Sequence, residues 1–222
     1  MATQEDISFH YDVANDFYAM FLDQWHRAYS CGVWKAATTL EEAQTAKLDR
    51  LCRYANISAG SHVLDVGCGW GGLLRHAISA FGASSAHGLT LSTDQFNYVQ
   101  TIDSSHVSVE LSSWADFTPV SRAYDSIVSI GAFEHFASME DRRLRRHREV
   151  YRRFLNGVGE FPLRKLTLVC RQLSPLDHRL ILAKSVIRDT FWSASSRDLR
   201  CRPSVIYRPR LWIYMRYRRA SA

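Results

Sequence analysis

No stretch of this chain approaches the roughly 18 consecutive apolar residues that a membrane-spanning helix requires. The opening residues, Met1 to Asp6, lack a basic segment followed by an apolar one, so they do not read as a secretory leader. These two absences point to a cytoplasmic protein. The five cysteines, Cys31, Cys52, Cys68, Cys170 and Cys201, form no CxxC pair and no Cys/His spacing suited to zinc. That pattern argues against a disulfide framework and against a metal centre. Basic residues are scarce in the first 135 positions, which balance to −8, whereas the positions from 136 onward balance to +14. The overall charge of +6 therefore hides a division that a domain of uniform design rarely has.

What is present is enough for one α/β domain: 222 residues, 46% hydrophobic and 12% aromatic. From His10 to Asp23, apolar residues at 13, 17, 18, 21 and 22 follow helical spacing. Thr39-Leu40-Glu41-Glu42 has the form of a capping box opening a second helix, expected to run to about Ala55 with Leu48 and Leu51 buried. Strands are expected at His62–Val66, Ser85–Thr90, His106–Leu111 and Tyr124–Ile130. Helices are expected from Leu73, from Ser92 and near Met139. This alternation implies a mostly parallel sheet with right-handed crossovers and helices on both faces. After about Asn156 the order decays: Lys165–Cys170 could be a fifth strand, and nothing beyond it has a clear hydrophobic period.

Asp65-Val66-Gly67-Cys68-Gly69-Trp70-Gly71-Gly72 lies between a strand and a helix. In an α/β sheet that junction binds nucleotide-like ligands, because glycine lets the backbone come close and the helix start offers N–H groups. Gly67, Gly69 and Gly72 also fit the dinucleotide spacing. A dinucleotide site, however, expects an acid near the end of the second strand to hold a ribose hydroxyl. Here that stretch is His87-Gly88-Leu89-Thr90-Leu91-Ser92, with no acid. Asp65, two positions before the first glycine, gives the D-x-G-x-G-x-G pattern of S-adenosylmethionine enzymes. A carboxylate there suits the ammonium of the methionine part. Taken alone, Cys31 reads as a buried, inert thiol, Glu134 reads equally as a helix cap, and the Trp70 ring could only cover the loop.

Several further stretches go beyond a glycine motif: His10-Tyr11-Asp12, Asn15–Tyr18, Tyr29-Ser30-Cys31, Thr39–Gln44, Gly88–Ser92 with Gln95, and Ile127–Phe136. In order and spacing they resemble the cyclopropane fatty acid synthase family, including the mycolic acid cyclopropane synthases, over roughly the first three fifths of the chain. The resemblance implies a Rossmann-like class I methyltransferase fold. It also implies methyl transfer from S-adenosyl-L-methionine to a cis double bond of an unsaturated acyl chain in lipid biosynthesis. Tyr29 and Ser30 would contact the cofactor, with Asp65 and the backbone of Gly67, Cys68, Gly69, Trp70 and Gly71 lining its methionine part. Thr90, Leu91, Ser92 and Gln95 would hold the adenosine, and Trp114 would lie beside the adenine. Cys31 and Glu134 match positions around an active-site bicarbonate ion, the base that takes a proton from the carbocation while water is kept out. Close relatives methylate small molecules at nitrogen, which leaves a small-molecule acceptor as the alternative.

The implied organisation is a helical segment over residues 1–60 covering the cofactor site, a binding domain over 61–156, and a basic segment over 157–222. Gly157-Val158-Gly159 is a poor echo of the family's PGG-type turn, and no His-Thr-Ile follows it. Twelve arginines but only two lysines follow Asn156, the signature of GC-rich coding DNA read out of register. A frame shift after the Phe154 codon, leaving an incomplete or irregular C-terminal part and a catalytically impaired S-adenosylmethionine-binding remnant, is therefore one expectation. The other is a genuine basic tail, in which Trp212–Arg219 touches anionic lipid headgroups at the membrane periphery. No nucleic-acid motif is present to claim the charge instead.

Overall fold

The computed structural model describes residues 15–118, 124–160, 167–171, 202–204 and 212–216, with the side chains of 134 and 155–160 and of the last three segments left out. The alternating pattern becomes α1 (Asn15–Ala19), α2 (Leu40–Tyr54), β1 (His62–Val66), α3 (Gly72–Phe81), β2 (Ser85–Thr90), α4 (Thr93–Gln100), β3 (Val107–Leu111) and β4 (Ser126–Ile130). A 3-10 turn (Phe133–His135), α5 (Met139–Arg143), α6 (His147–Glu160), β5 (Thr167–Arg171), β6 (Arg202–Ser204) and β7 (Trp212–Arg216) follow. Of the first helical pattern, residues 10–14 lie outside the described residues, and the helix seen ends at Ala19.

Local chemistry sets the helix starts. Thr39 and Glu42 form the expected capping box: the Thr39 hydroxyl accepts from the Glu42 N–H, and the Glu42 carboxylate accepts from the Thr39 N–H. Ser92 caps α4 in the same way by accepting from the Gln95 N–H.

The strands form one sheet in the order β3-β2-β1-β4-β5-β7-β6. β1 lies parallel to both β2 and β4, so the chain reverses its direction of travel across the sheet between these neighbours. That is the switch point at which open α/β sheets bind ligands, beyond the carboxyl ends of the strands. Alternate residues of the central strands feed two cores. Val63 and Val128 pack with Leu48, Leu51, Leu74 and Val99 on the α2–α3–α4 face. Leu64 and Ile127 pack with Phe133, Phe136, Val150 and Phe154 on the other. The fold is therefore wound on both faces, and α2 belongs to the same core as the sheet.

Two features depart from the sequence pattern and a third bears it out. First, α6 runs on through Gly157 and Gly159 to Glu160, so the echo of a turn at 157–159 is helix, and the boundary drawn at 156 falls inside α6. Each glycine weakens a helix by about 1 kcal/mol but keeps its N–H, so it need not end one. Pro162 lies just beyond, and a helix stops before the residue that precedes proline. Second, the suspected fifth strand is real and lies parallel to β4, with Ile127 opposite Leu168 and Ile130 opposite Arg171. Third, Trp212–Arg216, expected within a tail, is β7, antiparallel to both β5 and β6. Trp212, Ile213 and Tyr214 favour a strand, and the flanking arginines masked that signal. Among the described residues no helix is long and apolar enough to cross a membrane.

Candidate functional site

The turn from β1 into α3 depends on two glycines for different reasons. Gly67 (φ 83°) would drive a Cβ into Ala132, so its bareness lets the β1 and β4 loops close on each other. Gly69 (φ 55°) would meet nothing within 4 Å, so it faces the open space that a ligand would take. The N–H groups of Gly67 and Cys68 both donate to the Leu89 carbonyl at 2.9 Å, tying the turn to the end of β2.

Above this turn lies a cavity of about 820 Å³, within the range of small-molecule sites. Twelve of the residues singled out from the sequence line it: Tyr29, Ser30, Cys31, Asp65, Gly67, Cys68, Gly69, Trp70, Thr90, Leu91, Gln95 and Trp114. Cys31 is exposed on this wall rather than buried. Gly71 and Ser92 stand behind the wall as the caps of α3 and α4. Ser92 shapes its neighbours: its N–H donates to the Thr90 hydroxyl at 3.2 Å, and that hydroxyl donates to Gln95 Oε1 at 2.9 Å. With its carbonyl occupied, Gln95 has N–H donors left to offer. The Glu134 side chain and His10 lie outside the described residues. The 3-10 turn that carries Glu134 borders the cavity through Ala132 and His135.

Part of the cavity lining is electrostatically unusual. Asp65 is 2% exposed, and its Oδ1 has no hydrogen-bond partner. Burial pushes its pKa up to about 7, against the opposing pull of Lys47. Gln44 Oε1 is likewise buried and unpartnered, while its Nε2 donates to the carbonyls of Ser30 at 2.7 Å and Ala28 at 3.1 Å. Two unused acceptors on residues that line one cavity suit a cationic group with several N–H donors, such as an α-ammonium.

A second wall of the cavity is the segment from α1 to Cys31, which packs against the glycine turn through Trp70 and Gly72. Trp70 is buried and does more than cover the loop: its Nε1–H donates to Asn15 Oδ1 at 2.7 Å, and Asn15 donates to the Asp94 carbonyl at 3.3 Å. The Tyr18 ring sits 4.7 Å from Trp70 and 5.5 Å from Tyr29. Asp23 is fully buried and accepts from the N–H groups of His26 (2.6 Å) and Ala28 (2.7 Å), folding the loop that delivers Tyr29 and Ser30. Burial lowers the His26 pKa to about 4, outweighing the carboxylate of Asp23, so its ring is neutral at physiological pH. The Thr45 hydroxyl already donates to the Glu41 carbonyl, which leaves it to accept from His26 Nε2–H at 2.9 Å.

Asp23, His26, Gln44 and Lys47 were not singled out as site residues. For Gln44 and Lys47 a signal existed: they interrupt the apolar stripe Ala43, Leu48, Leu51 on a helix whose buried face is otherwise nonpolar.

Known proteins match both this architecture and this sequence. The chain is 39% identical over 127 residues to the cyclopropane-fatty-acyl-phospholipid synthase of Escherichia coli, covering 57% of this chain and 32% of that protein. It is 38% identical over 188 residues to the cyclopropane mycolic acid synthase MmaA2 of Mycobacterium tuberculosis, covering 80% of this chain and 61% of that one. The chain thus spans about a third of the former's length. The solved structure of mycolic acid cyclopropane synthase CmaA1, complexed with SAH and CTAB, superposes with a TM-score of 0.65 at 26% identity, over 91% of this chain and 78% of that one. The fold is that of the class I S-adenosylmethionine-dependent methyltransferases. The family model described as mycolic acid cyclopropane synthetase matches residues 1–184, and the chain belongs to that family.

Proposed function

We propose that this chain is an S-adenosylmethionine-dependent methyltransferase of the cyclopropane synthase type, acting on an unsaturated acyl chain in lipid biosynthesis. The observation that carries this reading is the pair of buried, unpartnered acceptors, Asp65 Oδ1 and Gln44 Oε1, on the wall of a cavity formed over the glycine turn. They suit the ammonium of the methionine part. The space above Gly69 suits a ligand lying against bare backbone.

Bound there, S-adenosylmethionine would supply an electrophilic methyl group, and a bicarbonate ion would supply a base. The protein's own residues bind, orient and exclude water. Tyr29 and Ser30 hold the methionine part from the cover, and the backbone of 67–71 cradles it from below. Thr90, Leu91 and Gln95, fixed by Ser92, hold the adenosine, with Trp114 beside the adenine. His26, being neutral, adds no positive charge of its own beside the sulfonium. Cys31, which lines the cavity, and Glu134 would stand beside the base. Phe21, Leu22, Leu40 and Phe136 give the same cavity an apolar lining suited to a hydrocarbon chain.

The test has two steps. Calorimetric titration of S-adenosylmethionine into the purified chain should give saturable one-to-one binding. Expression in a bacterium lacking its own cyclopropane synthase should add one methylene to unsaturated phospholipid acyl chains. Binding without lipid product would favour a small-molecule acceptor or an inactive remnant, and absence of binding would overturn the proposal.

A further inference from the structure

Lysine is rarely buried unless paired, and a core helix position is normally given to leucine or alanine. Lys47 breaks this pattern: it is 1% exposed on the inner stripe of α2, and it lines the cavity. Its Nζ donates to Ser30 Oγ at 2.7 Å, fixing the cover residue that follows Tyr29. Its charge also reaches Asp65 on β1, which lines the same cavity and keeps Oδ1 unpartnered. One turn earlier on α2, Gln44 binds the backbone of that same Ser30 and presents its own unpartnered Oε1. α2 thus connects the cover to the strand end through one cation and one amide.

We propose that Lys47 is a positioning residue of the cofactor site: its buried ammonium holds the Ser30 hydroxyl and supplies the countercharge for Asp65, so that Asp65 and Gln44 are presented as acceptors for the α-ammonium of the ligand. The proposal rests on the reading that S-adenosylmethionine occupies the cavity.

The consequence is a pH dependence. Burial favours the protonated form of Asp65, and Lys47 opposes it. Among the described residues, the other titratable groups around the pair include Cys68 on the glycine turn, Cys52 on α2 with the Asp49 carboxylate beside it, and His26 on the cover with the Asp23 carboxylate beside it. Burial raises the pKa of both thiols, with Asp49 and then Asp65 adding to the effect at Cys52 and Asp65 at Cys68, so both are neutral. His26 is neutral as well, through its own burial. Lys47 is therefore the cation that sets what fraction of Asp65 meets the ligand as a carboxylate. Where Asp65 is protonated, binding an ammonium must release that proton, and affinity falls accordingly.

Lys47→Met removes the charge at similar volume, Lys47→Gln keeps a hydrogen-bond donor without the charge, and Lys47→Arg keeps the charge. In the ligand-free full chain, the Asp65 carboxyl followed by carbon NMR should titrate at higher pH in the Met and Gln variants than in wild type, and the Arg variant should return toward wild type. An Asp65 titration that does not move overturns the proposal whether or not any ligand binds. With S-adenosylmethionine, the uncharged variants should bind about tenfold more weakly than wild type near pH 6.5, with the ratio of Kd values shrinking toward about pH 8.5. Taking the ratio cancels titration of the ligand's own amine. A ratio that stays constant with pH means a purely structural lysine and overturns the proposal. If Lys47→Met does not fold, Lys47→Gln carries both readouts. A wild-type chain that fails to bind S-adenosylmethionine while Asp65 still shifts overturns the cavity reading and retains the charge coupling, so the two failures are separable.

Discussion

The two walls of the cavity are built by different means. The lower wall, at the heads of β1 and β2, is fixed by backbone: strand register, two glycines with positive φ and paired N–H bonds to the Leu89 carbonyl. The upper wall has one short helix of five residues and is held by side chains reaching across to backbone or to other side chains. It also leaves Phe17, Phe21, Trp25 and Tyr29 about half exposed. The lower wall cannot change without the sheet changing. The upper wall hangs on a handful of polar contacts and can loosen while the sheet stays folded, as local openings of proteins do. A ligand enclosed between them should therefore depend on the upper wall for capture and on the lower wall for identity.

The sharpest break in that comparison is Asp65→Asn. The carboxylate is lost but the shape is kept, so S-adenosylmethionine affinity should fall about a hundredfold, the scale of a lost charged hydrogen bond. The fold should gain at the same time. The folded-state pKa of Asp65 is raised from 3.8 to about 7, so the stability it contributes is present below about pH 4 and is lost as pH rises toward 7. Wild type should therefore melt below the Asn variant at about pH 8 and lose that difference near pH 4, as calorimetric melting across pH would show. A variant that is less stable at every pH would contradict the assignment.

On the same wall, Gly67→Ala and Gly69→Ala separate folding from binding. Both strain a left-handed backbone by roughly 1–2 kcal/mol. Gly67→Ala also collides with Ala132 and should lower the melting temperature more, whereas Gly69→Ala points into open space and should mainly weaken binding, by about tenfold. On the upper wall, Asp23→Ala strands the N–H groups of His26 and Ala28, a cost of about 1–3 kcal/mol for each if they stay buried. Hydrogen exchange should rise across residues 23–31 while the β1 amides stay protected; equal loss in both regions would erase the distinction drawn here. The smallest effect belongs to Trp70→Phe, which removes the bond to Asn15 at about 1 kcal/mol. It should speed proteolysis near α1 and change cofactor affinity by no more than about threefold.

The lower wall was legible in the sequence because its signals are local: β1 and β2 fall at the expected residues, and the helix expected from Ser92 begins there, with Ser92 as its cap. The upper wall was legible only in part. Tyr29, Ser30 and Cys31 stood out by resemblance, but Asp23 and His26 act through contacts that no periodicity encodes. Lys47 was visible as a polar break in an apolar stripe, yet its bond to Ser30 joins segments 17 residues apart. Past Phe154 the arginine-rich text obscured the strand pattern. The family match nevertheless continues past Phe154 to residue 184, and β5 pairs in register with β4.

A crystal structure of the chain soaked with S-adenosylhomocysteine would test the central claim most directly. The account predicts the amino group of the ligand within hydrogen-bond distance of Asp65 Oδ1 and Gln44 Oε1, with its backbone-facing side over Gly69. A ligand that leaves both acceptors unmet, or that occupies a different hollow of the surface, would contradict it.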